Sequence, residues 1–225
     1  MSGQSRAGGM NTRPTLLFDL DGTLSDNYEG ISGSIRHALR RLGAADPGDA
    51  ELRRCIGPPL RESFARLLAT DNAATIEAAI GAYRERYEAL GWQENVAYAG
   101  VGEALARLCE RGVRMFVCTS KPEHFATRIV RHFGFDAYVE RVYGADLAGA
   151  LDDKRKLLAH LVGCERLAPH ECIMIGDRIH DVRAARVNGA RAVGVLWGYG
   201  DAGELADAER LLAQPTELAS LDQDR

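Results

Sequence analysis

The 225-residue chain is long enough for one large domain or two small ones, each with its own core. Hydrophobic residues make up 46% and charged residues 27%, and a net charge of −4 provides no broad basic field for nucleic acid or an anionic membrane surface. No apolar run approaches the roughly 18 residues of a membrane span, and the opening "MSGQSRAGGMNTRP" lacks the apolar centre of a signal peptide.

In chain order, residues 1–13 read as a disordered tail. Residues 16–20 read as a buried strand. From about 27 to 95 the pattern turns helical. Ile31, Ile35, Ala38, Leu39 and Leu42 recur at a helical period, Pro58 and Pro59 suit a helix start, and "AATIEAAIGAYRERYEAL" gives a third helix. After "YAGV" the chain alternates: helix 101–111, strand 113–119, helix 122–133, strand 138–144, helix 153–163, strand 171–177, helix 179–188, strand 190–197, and a last helix near 202–208. Strands alternating with helices imply a parallel sheet covered on both faces. The expected fold is α/β, a Rossmann-like parallel core of residues 14–26 and 97–225 with an inserted all-α cap at 27–96. The links near 26–27 and 96–100 are expected hinges.

Five cysteines, odd in number and without a Cys-x-x-Cys pair, read as free buried thiols of a reducing, cytoplasmic environment.

Sites in an open parallel sheet form beyond the carboxyl ends of the strands. Asp19 and Asp21 follow the first strand in "LLFDLDGTLSDN", two residues apart and so aimed to one side. Thr119, Ser120 and Lys121 follow "MFVC". Lys154 opens the helix after "ADLAGALDD", and Asp177 and Asp181 lie in "GDRIHD". Lysine occurs only at 121, 154 and 156, so one sheet edge collects four carboxylates and few cations. A hard divalent cation would supply the missing charge, and an all-oxygen ligand set suits magnesium.

"FDLDGTL", "CTSKP", Lys154 and "GDRIHD" resemble the four ordered motifs of haloacid dehalogenase superfamily phosphatases, over residues 16 to about 199. The helical block resembles that family's cap. "IGPPL", "TSKP", "GDRIHDV" and "VLWGYG" are most similar to phosphoglycolate phosphatase-like enzymes.

The resemblance implies roles. Asp19 would be the nucleophile that forms an aspartyl-phosphate. Asp21 would protonate the leaving oxygen and then deprotonate the hydrolytic water. Thr119 and Lys154 would bind phosphoryl oxygens. Asp19, the Asp21 carbonyl and Asp177 would hold Mg2+, with Asp181 orienting waters or Lys154 from behind them. Gly22 and Thr23 would shape the turn beside the substrate, and Ser120, Lys121 and the cap residue Arg61, with Arg53 or Arg54, are expected substrate contacts. Lys156 is a rival to Lys154, and His180 lies inside the fourth motif.

Other chemistries fit less well. Asp21 is superfluous for a dehalogenase, and residues 27–95 contain no lysine for the Schiff base of a phosphonate hydrolase. A binding protein on the same fold would be expected to have lost Asp19 or Asp21. A sugar phosphomutase shares all four motifs. "GYGDAG" at 198–203 fits a dinucleotide pattern, but too little chain follows for the rest of that unit, and a loop bordering the site is the better reading. The expected reaction is magnesium-dependent hydrolysis of a small phosphate monoester. 2-Phosphoglycolate is the first substrate expected and a nucleoside monophosphate the next, with no nucleic-acid or membrane partner.

Overall fold

The structure, a computed structural model, describes residues 13–146 and 151–223. The tail expected at 1–13 lies, apart from Arg13, outside the described residues.

Strand β1 (Thr15–Phe18) runs down the middle of the molecule. A two-residue strand β2 (Ser25–Asp26) follows, then the helical block: α1 (Tyr28–Arg41), α2 (Asp49–Arg53), α3 (Leu60–Leu67) and α4 (Ala73–Arg86), which continues as a π-helical turn, Tyr87–Gly91. The chain returns through β3 (Val96–Ala97), antiparallel to β2. Alternation then begins: α5 (Val101–Glu110), β4 (Met115–Pro122), α6 (Glu123–His132), β5 (Arg141–Ala145), α7 (Lys154–Cys164), β6 (Cys172–Gly176), α8 (Ile179–Asn188) and β7 (Arg191–Val195). Instead of a last helix near 202–208, residues 202–207 form turns, and the chain adds β8 (Arg210–Leu212) and a 3-10 segment, Pro215–Gln223. Gly203 weakens a helix here, and Asp201 instead accepts from the Glu204 amide at 2.9 Å in a local turn.

The six long-range strands form one parallel sheet in the order β5-β4-β1-β6-β7-β8. Its central strands β1, β4 and β6 are apolar on both sides because both faces are covered. Leu16, Phe18, Met115, Val117, Ile173 and Ile175 pack on the α5 and α6 side, while the intervening Leu17, Phe116, Cys118 and Met174 pack on α7 and α8. The helical block has its own cluster, with Ile35, Phe64, Ile80 and Tyr87 at its centre, and Phe125 of α6 joins it. Both expected hinge links fall on the β2–β3 ladder, where Ser25 pairs with Ala97 and Asp26 with Val96.

All five cysteines are free, but Cys109 and Cys164 are exposed, contrary to the expectation of buried thiols. Each sits on the outer face of a helix whose apolar stripe points inward. Burial pushes the Cys118 thiol up to about 12 and the Cys172 thiol up to about 11. No helix among the described residues is long and apolar enough to cross a membrane.

Candidate active site

Strand order assembles the site. Central β1 lies between β4 and β6, so the residues after these three strands meet at one edge. Asp19 is held at the end of β1 by its amide, which donates to the Ile175 carbonyl at 2.8 Å. Asp177 follows β6 and is fully buried. Asp181 sits in the first turn of α8, where its carboxylate accepts from the Arg178 amide at 3.0 Å. One oxygen from each of Asp19, Asp177 and Asp181 lies within 4.8 Å of the others. Burial pushes Asp177 well above the usual carboxylate range, with Asp181 and Asp19 adding repulsion. Burial likewise lifts Asp181 to about 6, against the opposing pull of Lys154.

One ammonium enters this cluster. Lys154 is N-terminal in α7, whose preceding Asp153 caps the helix through the Arg155 amide. Its Nζ lies 2.9 Å from Asp19 and contacts Asp181. Burial opposes its charge, but the two carboxylates outweigh that and raise its pKa. Lys156 is exposed two residues on in the same turn, whereas Lys154 is buried.

Asp21 stands apart from the acidic cluster. Its Oδ2 lies 2.6 Å from Lys121 Nζ, and its Oδ1 accepts from Asn27 Nδ2 at 3.2 Å. Lys121 comes from the end of β4, where the register slips between Thr119 and Pro122; such irregularities re-aim side chains. Thr119 and Ser120 line the same cavity. Thr119 Oγ1 also accepts from the Lys121 amide at 3.3 Å.

Gly22 has φ +84°, and a Cβ there would lie 2.2 Å from Asp177 Oδ2. Its lack of a side chain is therefore what admits Asp177 to the site. Thr23 is fully buried beneath the turn, with its carbonyl accepting from Trp197 Nε1 at 3.0 Å, and does not line the cavity.

A cavity of about 940 Å³ opens from Asp19 and Asp21 toward the helical block. Its far wall is mostly apolar and aromatic, including Ile31, Pro59, Ile80, Tyr83 and Phe125. Arg61 lies on this wall, but its guanidinium is paired with Glu77. Arg53 and Arg54 do not line the cavity; Arg53 lies over the Tyr28 ring and Arg54 pairs with Glu51. His180 lines it, and burial, with Arg178 nearby, depresses its pKa.

Several residues at the site escaped sequence reasoning. Tyr199 donates its amide to Asp177 Oδ2 at 2.8 Å, so the "GYGDAG" segment does border the site. The Tyr199 phenol accepts from the Asn27 amide and donates to Asp26 at 2.6 Å. Arg178 of the fourth motif reaches across to the Ile56 carbonyl in the helical block and is braced by Glu204 at 2.9 Å. The glycine-rich loop was a usable signal for Tyr199; Ile56 and Asn27 lie in the quoted "IGPPL" and "LLFDLDGTLSDN" segments, and nothing local marks Tyr87.

The acidic cluster fits a divalent cation on its own chemistry. Asp177 Oδ1 is buried without a hydrogen-bond partner, the donors are all carboxylate oxygens, and the protein brings a single ammonium among three such groups.

The description "Haloacid dehalogenase-like hydrolase" belongs to a family model that matches residues 16–195. A 5'-nucleotidase of Pseudomonas aeruginosa is 45% identical over 192 residues, covering 85% of this chain and 86% of that one. A phosphoglycolate phosphatase of Xanthomonas campestris pv. campestris is 33% identical over 208 residues, covering 90% and 93%. The solved structure described as Mycobacterium tuberculosis Protein Tyrosine Kinase A superposes with a TM-score of 0.80 at 39% identity, covering 93% of this chain and 99% of that one.

Proposed function

The chain belongs to the haloacid dehalogenase-like hydrolases and is a phosphoric monoester hydrolase, and from that premise we propose that it hydrolyses a nucleoside 5'-monophosphate through an aspartyl-phosphate on Asp19. The observation that carries the substrate class is the cavity of about 940 Å³ with its apolar, aromatic far wall. Such a wall suits a base and sugar, and its volume lies in the range of sites for ligands of that size. A 5'-nucleotidase among the relatives supports the same reading. 2-Phosphoglycolate is the second reading. It is favoured by Arg61 and Arg84 on the cavity wall, since an Arg fork matches a carboxylate.

Each step uses a group of this chain. The substrate phosphoryl group binds between Asp19, Thr119 and Lys154, where the hydroxyl and ammonium meet its outer oxygens. Asp19 attacks phosphorus as the bond to the leaving oxygen breaks. Asp21 gives that oxygen its proton, and the alcohol departs. A water then attacks the phosphorus of the acyl-phosphate, Asp21 takes its proton, and inorganic phosphate and free Asp19 result. Asp19 and Asp177, with the Asp21 carbonyl, would hold Mg2+, which when bound offsets charge on the transferring phosphoryl group. Asp181 anchors Lys154 from the opposite side. Arg178 links the core to the cap loop, so closure over the substrate would exclude bulk water.

The test is phosphate release from a panel of monoesters, with Mg2+ and with excess EDTA, for wild type and Asp19→Asn. Metal-dependent turnover with nucleoside monophosphates ranked first, lost in the variant, is expected. 2-Phosphoglycolate at the top would replace the substrate. Transfer of phosphate to an added hydroxyl acceptor in preference to water would replace hydrolysis by phosphotransfer.

A further inference from the structure

We propose that Tyr87 of the helical block is the positioning residue that sets the Asp21 carboxylate, acting through Lys121 and Asn27; this rests on the acid–base role proposed for Asp21. Tyr87 opens the π-helical turn, a rare feature that often marks functional positions. Its ring is buried, stacked on Tyr83 at 5.4 Å and edge-on to Phe125 at 4.9 Å. The phenol oxygen therefore has little freedom. It accepts from Lys121 Nζ at 2.9 Å and from Asn27 Nδ2 at 2.5 Å.

The same ammonium lies 2.6 Å from Asp21 Oδ2, and the same amide donates to Asp21 Oδ1 at 3.2 Å. Both carboxylate oxygens are thus held by two donors, and one phenol ties those donors together. Lys121 and Asn27 are buried, so loss of the hydroxyl takes a protein acceptor from both donors. Tyr87 makes no hydrogen bond to Asp21 itself; its influence passes through the two donors.

The consequence follows from the proton's path. Asp21 must aim one oxygen at the leaving group to give its proton, and must keep that aim to take a proton from water afterwards. Tyr87 lies on the helical block, Lys121 on the sheet edge and Asn27 at the junction. The clamp therefore exists only while the block is seated on the sheet, which couples cap position to the aim of Asp21.

Tyr87→Phe keeps the ring and removes only the hydroxyl. The readout is kcat/KM, which reports events up to phosphoryl transfer, for two esters. A nucleoside 5'-monophosphate has a basic leaving oxygen that needs a proton, whereas p-nitrophenyl phosphate does not. The variant is expected to lose about tenfold on the alkyl ester and less than about twofold on p-nitrophenyl phosphate, a fraction of a general acid's full worth. Equal losses on both esters, or none, would overturn the proposal. The same ratio for Asn27→Ala reads the second arm of the clamp, so the test does not hang on the folding of one variant. Asp21→Asn is the control for the underlying reading. If its losses show no dependence on leaving group, the acid–base role fails; if they do and Tyr87→Phe does not follow, the Tyr87 proposal alone fails.

Discussion

Lys154 holds Asp19 and Asp181 with one ammonium, 2.9 Å from the first and in direct contact with the second, in a pocket where all three side chains are at least 90% buried. Removing that ammonium leaves adjacent buried carboxylates without their protein-borne counter-charge and the phosphoryl group without a donor. Lys154→Gln is expected to lower kcat by about a hundredfold or more, as for loss of one electrostatic stabiliser. Lys156→Gln, on the exposed face of the same helical turn, should leave kcat and KM unchanged. Steady-state kinetics of the pair checks this, and an inactive Lys156 variant beside an active Lys154 variant would reverse the assignment.

Asp181 carries a pH signature. Its pKa is raised from 3.8 to about 6, chiefly by burial. The folded protein therefore holds a proton that the unfolded chain releases, so the group's contribution falls as pH rises from about 4 to about 6. Asp181→Asn, neutral throughout, removes this dependence. Without added metal, wild type should lose stability relative to the variant across that interval. Urea unfolding at several pH values in EDTA measures the difference. A difference that is flat with pH would show that the buried carboxylate keeps an ordinary pKa.

Gly22→Ala tests the turn that admits Asp177. The substitution meets both a left-handed φ of +84° and a Cβ position 2.2 Å from Asp177 Oδ2. The backbone strain alone costs about 1–2 kcal/mol, and Asp177 must also move. The expected result is a lower unfolding midpoint together with weaker activation by Mg2+. A destabilised variant with unaltered metal dependence would separate the turn from the metal ligand.

Arg61 lies on the cavity wall in an exposed pair with Glu77, an arrangement that contributes little stability. Arg61→Ala should leave the melting temperature near that of wild type and raise KM more than it lowers kcat. An unchanged KM for every active substrate would remove Arg61 from substrate binding.

The division between sequence and structure follows from how far each interaction reaches along the chain. Alternating apolar strands and helices specify the parallel sheet, and with it the placing of Asp19, Asp21, Thr119, Lys154, Asp177 and Asp181 near one sheet edge. Local turn chemistry was less so: the segment 202–207 looked helical by composition and is a series of turns. Lys154 could be chosen over Lys156 on motif spacing, but only burial explains the choice. What tertiary structure alone decided is the partnering of charges. Asp21 faces Lys121 and Asn27, whereas Asp181 joins Asp19 and Asp177, although Asp19 and Asp21 are two residues apart. Likewise Tyr87 reaches Lys121 across 34 residues and Arg178 reaches Ile56 across 122. No periodicity encodes such contacts. They arise when the helical block is seated on the sheet edge, where each buried donor must find an acceptor or bear the full cost of leaving water.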